Sequence, residues 1–405
     1  MKSIVVQKYG GTSVGDVPKI LNVAKRVIET KNAGNDVIVV VSAMGKSTDE
    51  LIEMATNVTM KPSSRELDML VSSGEQISAS MLAIAINSLG VPCVSLNSEQ
   101  AGIKTVGKYK NARIEEIDTT RLKGELKSGK VIIVTGFQGI NKIGDITTLG
   151  RGGSDTSAVA IACALGADKC EIYTDVDGVY TTDPRKVESA TKIDKISYDE
   201  MLELASLGAG VLHPRAVELA RKNGLTMYVK SSLNNNSGTE ISGVDSMERA
   251  IVSGVVLDED IAKISVMDVP DKPGIAFKLF SALAANGVYF DMIIQNITSK
   301  HVNDITFTVK SDELDEALAV TREVAKEIDA KEVIYDRSVV KVSIVGTGIA
   351  GSAEIASSFF QTLYDLGINI DMISTAEIKI SCIIEESKGL EALKALHDCF
   401  KLDQK

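Results

Sequence analysis

The stretch Gly287-Val288-Tyr289-Phe290-Asp291-Met292-Ile293 returns as Gly367-Ile368-Asn369-Ile370-Asp371-Met372-Ile373, an offset of 80 from Asp291 to Asp371. Upstream, Lys263-Ile264-Ser265-Val266 is echoed by Lys341-Val342-Ser343-Ile344 at an offset of 78. Self-similarity at a fixed period means that one supersecondary unit was built twice. Each copy reads strand, loop, helix, strand, then a further strand and helix, the pattern of a small α+β sandwich. What precedes the repeat has to fold as something else.

Over the first 230 residues, short β-branched runs alternate with helical segments: Ile4 to Gln7, Val37 to Val41, Val91 to Leu96, Val131 to Thr135, Glu171 to Thr174 and Thr226 to Val229. That alternation predicts an α/β core with a largely parallel sheet. Gly90, Gly166 and Gly224 fall where glycines end helices, and Ser197-Tyr198-Asp199-Glu200 is a capping box. From Leu233 to Gly243 the chain turns polar around Asn234-Asn235-Asn236-Ser237-Gly238, which reads as a domain joint. The expected division is a first domain over 1–232, a linker over 233–249, one repeat module over 263–337, and the other from 250–262 together with 338–405.

The 405 residues carry 55 acidic and 44 basic side chains, and a net charge of -11 argues against nucleic-acid partners. Five cysteines without a Cys-x-x-Cys pair read as reduced thiols, and three scattered histidines offer no metal-type pair. Catalysis is therefore left to Lys, Arg, Asp, Glu, hydroxyls and backbone amides. Apolar runs such as Val37 to Val41 and Ala158 to Leu165 are short of the roughly 18 residues that span a bilayer, so no membrane helix is expected. Met1-Lys2-Ser3 leads at once into Ile4-Val5-Val6 without a signal-type apolar region, and the expected location is cytoplasmic.

Several strand ends carry chemistry. Lys8-Tyr9-Gly10-Gly11-Thr12-Ser13 follows the first strand, where glycines let backbone amides approach an anion that Lys8 neutralises. The lysine precedes the glycines, so this is not a Walker A loop, and an ordinary turn is the alternative. Gly150-Arg151-Gly152-Gly153-Ser154-Asp155 runs into the apolar stretch Thr156 to Leu165, bringing glycine amides, a helix N-terminus and a guanidinium fork to one point. A helix capped by Ser154 or Asp155 is the plainer reading. Ser73-Gly74-Glu75 lies inside a helical stretch, where Gly74 costs about 1 kcal/mol relative to alanine. Either a substrate approaches there, with Glu75 receiving a cation, or helices pack tightly. Thr174-Asp175-Val176-Asp177-Gly178-Val179-Tyr180 and the following Asp183-Pro184-Arg185 mark another strand end, whose Asp-x-Asp-Gly fails as an EF-hand because Val179 and Lys186 take ligand positions.

Taken in order, Lys8 to Ser13, Ser73 to Glu75, Arg151 to Asp155 and Thr174 to Arg185, followed by a paired module, resemble the aspartokinases of the amino-acid kinase superfamily along essentially the whole chain. The resemblance implies an amino-acid kinase fold followed by two ferredoxin-like ACT modules. It implies transfer of the γ-phosphoryl group of ATP, with Mg²⁺, to the β-carboxylate of L-aspartate. Such a carboxylate, with a pKa near ~4, is already ionised at pH 7 and needs no general base, in keeping with the scarcity of histidine. Lys8 would neutralise charge on the transferring group, Gly10, Gly11 and Ser13 would donate to phosphates, and Asp155 would orient Lys8 or the substrate ammonium. Arg151 would fork the α-carboxylate beside Gly152, Gly153 and Ser154, Glu75 would take the α-ammonium, and Ser42 and Thr48 would line the site. Thr174, Asp175, Tyr180, Arg185 and Lys230 would form the nucleotide side.

In the repeat, Asp291, Gln295, Asn296 and Thr306 suit an amino-acid effector, with Ser374, Thr375 and Glu377 at the matching place of the second copy. The expected effector is L-lysine, with L-threonine as a second candidate, acting in a homodimer formed through the ACT modules or in a tetramer. Gly346-Thr347-Gly348-Ile349-Ala350-Gly351 has the form of a dinucleotide fingerprint, but too few residues follow Asp371 to complete a doubly wound sheet. Two other functions stay open: a kinase for glutamate or acetylglutamate, and a non-catalytic amino-acid sensor. Met247 is a candidate start for a separate regulatory subunit.

Overall fold

The computed structural model describes residues 2–208, 210–243, 251–297 and 302–404; Met247 lies outside them. The chain forms two compact units, the first from Met1–Val179, Lys192–Ser206 and Gly210–Ser246, the second from Tyr180–Thr191, Leu207–Ala209 and Met247–Lys405.

The first unit is built on an eight-stranded sheet. Its strands run, from edge to edge, Lys195–Ser197, Thr239–Ser242, Met227–Ser231, Lys169–Thr174, Ile4–Tyr9, Asp36–Val41, Val131–Thr135 and Cys93–Leu96. All pairings are parallel except that of Met227–Ser231 with Thr239–Ser242. The six expected strands run unbroken from Met227–Ser231 to the edge strand Cys93–Leu96. Val37 to Val41 and Val131 to Val134 are fully buried, as continuous apolar strands covered on both faces must be. The order reverses at Ile4–Tyr9, which has Asp36–Val41 on one side and Lys169–Thr174 on the other, and ligands of open α/β sheets collect beyond the carboxyl ends at such a point. A second, four-stranded sheet, Asn111–Ile117, Ile103–Lys108, Gln138–Ile140 and Ile146–Thr148, has no counterpart in the sequence reading.

Helix ends follow local chemistry. Gly166 and Gly224 take φ of 61° and 63° at helix C-termini. Ser197 and Glu200 cap each other, with the Ser197 hydroxyl 2.6 Å from Glu200 Oε2 and accepting the Glu200 amide at 3.2 Å. Two expectations change. Thr239–Ser242 is a sheet strand, so the polar stretch after Leu233 is more than a joint: the tight turn at Gly238, φ 79°, folds it back on Met227–Ser231. The stretch Ser64–Ser88 is long and apolar enough to cross a membrane, because two apolar helices abut at Ser72; 56% of its apolar window is buried, and Asp68 and Glu75 are buried on it, as in a core helix.

The second unit holds two four-stranded antiparallel sheets. One runs Phe290–Ile297, Val302–Val309, Ala262–Pro270, Glu332–Asp336; the other Ile251–Asp258, Val339–Thr347, Lys379–Glu385, Met372–Ala376. Ile251–Asp258, which precedes the first copy of the repeat, thus completes the sheet of the second. The repeat also pairs with itself in space. Lys341 of one copy meets Asp291 of the other at 2.7 Å, and Lys263 meets Asp371 in the reciprocal pair. Met292 and Met372 share a small core with Ile261, Val339 and Ile383. The glycine-rich Gly346 to Gly351 leads from an antiparallel strand into the helix Ala353–Asp365, so it has no parallel sheet on which to bind a dinucleotide.

Candidate active site

Strand register sets the Lys8–Ser13 motif against the ends of the neighbouring strands. The amide of Ser42 donates to the Tyr9 carbonyl at 3.1 Å, Gly45 to Gly11 at 3.0 Å, Gly136 to Val41 at 3.0 Å and Gly10 to Tyr173 at 3.3 Å. One line of backbone bonds thus ties four strand ends around Lys8. Its ammonium lies 2.7 Å from Asp155 Oδ1, with the two side chains only 12% and 10% exposed. Asp155 is in the first turn of the buried helix Gly153–Leu165, where the helix dipole favours a negative charge. Gly152, at φ 66°, caps that helix without any side-chain bond, so neither Ser154 nor Asp155 is the cap.

Glu75 is 3% exposed. Its Oε1 accepts the Ala43 amide at 3.1 Å, while Oε2 is buried with no partner. Burial raises its pKa to about 7, against the pull of the Ala43 hydrogen bond. A carboxylate held this way is short of a cation. Next to it, Gly74 is explained by packing: a Cβ there would stand 2.8 Å from Ala43 Cβ. Ser42 is fixed by the Ser78 hydroxyl, which donates to its carbonyl at 2.7 Å, and Thr48 lies half-buried on the first turn of Ser47–Val58. Ser154 is buried, Gly153 packs against Leu149 and Phe137, and Arg151 stands exposed on the turn between Gly150 and Gly152.

Two expected phosphate donors are engaged inside the protein. The Gly10 amide goes to Tyr173, and Ser13 donates its amide to Gly10 at 2.9 Å and its hydroxyl to Ser232 at 2.8 Å. Gly11 is pressed against the next loop, its missing Cβ 2.7 Å from the Ala43 carbonyl. Lys230 is also committed: it pairs with Glu171 at 2.9 Å. Burial alone would raise the Glu171 pKa, but Lys230 and the hydrogen bonds from Gln7 and Lys169 outweigh it and hold it at about 2. Thr174 and Asp175 end the strand beside Lys8, Thr174 donating to Asp175 at 3.0 Å. Tyr180 and Arg185 belong to the second unit, where Arg185, 88% exposed, makes a two-pronged bond to Asp183.

Gly136-Phe137-Gln138-Gly139 is a further strand-end motif legible in the sequence, whereas the place of His213 is not. Phe137 holds φ of 70°, a conformation that costs a β-substituted residue roughly 1 to 3 kcal/mol. Gln138 is fully buried, with Nε2 on the Ser72 carbonyl at 3.0 Å and Oε1 unpartnered. His213 packs on Gly152. In the second unit, Thr306 shares a hydrogen bond with Ser265 at 2.9 Å, and Asp291 holds Lys341. Gln295, Asn296, Thr375 and Glu377 are exposed and Ser374 half-buried.

Residues 3–231 match the Amino acid kinase family and residues 264–324 and 342–400 the ACT domain. The chain is 48% identical over 400 residues to an aspartokinase of Bacillus sp. (strain MGA3), covering 98% of this chain and 97% of that one. Among solved structures, E. coli aspartokinase III in complex with aspartate and ADP (R-state) superposes with a TM-score of 0.83 at 24% identity, over 98% of this chain and 99% of that one. The same enzyme in complex with lysine and aspartate (T-state) gives 0.73 at 25% identity, again over 98% and 99%.

Proposed function

We infer the reaction from the premise that this chain belongs to the amino acid kinase family and, within it, to the aspartokinases. It is an aspartate kinase: the β-carboxylate of L-aspartate attacks the γ-phosphorus of ATP, the bond to the ADP oxygen breaks, and 4-phospho-L-aspartate and ADP leave. No proton has to move. The observation that carries the acceptor's identity is the buried, unpartnered Oε2 of Glu75, whose other oxygen takes the Ala43 amide just past the strand that pairs with Lys8, since an acetylated amine would have no use for it.

In this reading Lys8, oriented by Asp155, neutralises charge that develops on the transferring group, and Glu75 receives the α-ammonium. Arg151 forks the α-carboxylate over Gly152, Gly153 and Ser154, with Ser42 and Thr48 lining the acceptor side. Gly11, Thr174 and Asp175 take the nucleotide, while Gly10, Ser13 and Lys230 shape its site through the bonds they already make. Mg²⁺ would arrive on the phosphates of ATP. When bound, Mg²⁺ would supply charge neutralisation on the phosphate oxygens.

The catalytic domain in this proposal is 1–232, less Tyr180–Thr191 and Leu207–Ala209, which pack with the second unit, and completed by the strand Thr239–Ser242; the rest of 233–249 is linker, and the ACT modules are 263–337 and 250–262 with 338–405. L-Lysine, with L-threonine as a second effector, inhibits through those modules in a homodimer or tetramer, and the enzyme works in the cytoplasm. The lysine complex of the E. coli enzyme supports the effector. Purified protein with ATP, Mg²⁺ and hydroxylamine tests the reaction: the acyl phosphate is trapped as a hydroxamate with L-aspartate. Equal signal with L-glutamate, or none with any amino acid, contradicts it.

A further inference from the structure

We propose that His213 is a positioning residue for the substrate-binding turn, its imidazole being the wall that holds Gly152 in the left-handed conformation and thereby aims Arg151. The inference rests on the reading of Arg151 as the carboxylate clamp. Gly152 has φ 66° and ψ 11°, and a Cβ added to it would stand 2.3, 2.4 and 2.5 Å from His213 Cβ, Cγ and Cδ2. Glycine is required here twice over, by the positive φ and by the His213 side chain.

His213 is itself held. It is the N-cap of the helix Pro214–Asn223, with Nδ1 accepting the Arg215 amide at 3.3 Å and Pro214 in the first turn. An accepting Nδ1 leaves the neutral ring its proton on Nε2. Burial and the neighbouring Arg215 lower its pKa, against the pull of Asp155, so the cap persists at neutral pH. Arg215 then reaches back to the same turn, its guanidinium donating to the Leu149 carbonyl at 2.7 Å and to the Ala112 carbonyl at 3.0 Å. His213 and Arg215, two residues apart, thus grip the turn at Gly152 and before Gly150, and the exposed Arg151 lies between the two grips. Fixing the backbone on both sides confines the guanidinium to its own rotamers, and this is how a clamp is pre-organised.

The cap and the wall can be separated. His213→Gly removes Cβ and ring together and so vacates the wall, while glycine still serves as an N-cap; His213→Phe keeps the bulk and loses the cap bond. His213→Gly should leave the KM for ATP unchanged. Its kcat/KM for aspartate should fall on the order of 10- to 100-fold, the loss expected of a misplaced binding group. His213→Phe should unfold earlier than wild type yet hold aspartate better than His213→Gly. Gly152→Ala should be more damaging in the wild-type background than in His213→Gly, where only the strain of the positive φ remains. Arg151→Ala separates the layers: an unchanged KM for aspartate there overturns the clamp and the role of His213 with it. A loss in Arg151→Ala beside wild-type kinetics in His213→Gly overturns the His213 proposal alone.

Discussion

Glu75 has one oxygen on the Ala43 amide and the other on nothing, and burial sets its pKa at about 7. The α-ammonium needs the ionised form. Below pH 7 a proton must leave before aspartate binds, so the KM for aspartate should rise toward tenfold per pH unit as pH falls from 7 to 5.5. The same raised pKa means that Glu75 contributes stability below its unfolded pKa and loses it as pH rises through 7. Glu75→Gln should erase the inflection and weaken aspartate binding by about 1.5 to 3 kcal/mol, leaving ATP unaffected. A KM that is flat from pH 5.5 to 8 in the wild type contradicts this. Lys8→Ala should lower kcat far more than it raises KM for aspartate, because the charge that Lys8 meets develops only during transfer; steady-state kinetics with near wild-type kcat would remove it from the mechanism. The pairing of Lys8 at a strand end with Asp155 in the first turn of a helix joins two motifs that are each local in the sequence, as is the glycine beside the buried Glu75. The bond from Ser13 to Ser232 and the wall made by His213 were not legible there, since partners lying 219 residues away from Ser13, or on a helix remote from the turn, are chosen by the fold.

At the scale of elements, the helix Ser73–Ser88 reaches the sheet only because Gly74 lets it lie against Ala43. Alanine at this position gains about 1 kcal/mol of helix propensity but puts a methyl 2.8 Å from another, and overpacking of a tight core typically costs 1 to 3 kcal/mol. Gly74→Ala should therefore be destabilised in urea and should weaken aspartate binding by shifting the Ala43 amide away from Glu75. A higher urea midpoint would show that the helix has room. In the second unit, the helix Gly389–Cys399 buries His397, whose Nε2 lies 3.0 Å from the Thr181 hydroxyl, and burial lowers its pKa. A depressed pKa stabilises the fold above the unfolded value of about 6.5 and ceases to do so as pH falls through the folded value. Melting curves from pH 7.5 to 5.5 should show a shallower acid limb in His397→Gln, and an unchanged slope would contradict the assignment. β-Branched runs, glycine stops and the Ser-x-x-Glu spacing made six contiguous strands and the capping box readable. The short strands Lys195–Ser197 and Thr239–Ser242 carry too few residues for a pattern, and they are strands by virtue of their neighbours.

Over the whole chain, the repeat was the plainest signal, and its two copies meet through their own equivalent residues: Lys263 with Asp371, Lys341 with Asp291, Met292 beside Met372. What one copy could not reveal is that Asp291 is already partnered, because its lysine comes from the other copy. An effector at this seam can change activity only by favouring one arrangement of the modules over another. Thr306→Ile, which removes the hydroxyl shared with Ser265, should raise the inhibitory lysine concentration by roughly 5- to 150-fold, the range of a 1 to 3 kcal/mol coupling, while uninhibited kcat stays close to wild type. Dose-response curves at fixed aspartate and ATP decide it, and a flat response of the wild type to millimolar lysine, threonine and their mixture would leave the modules a structural role. The central claim, that this chain phosphorylates a free amino acid whose ammonium enters the Glu75 pocket, is tested most directly by kcat/KM for L-aspartate against N-acetyl-L-aspartate. A free amine should be preferred by at least two orders of magnitude, with Glu75→Gln narrowing the gap; equal or better turnover of the acetylated acceptor would contradict the claim.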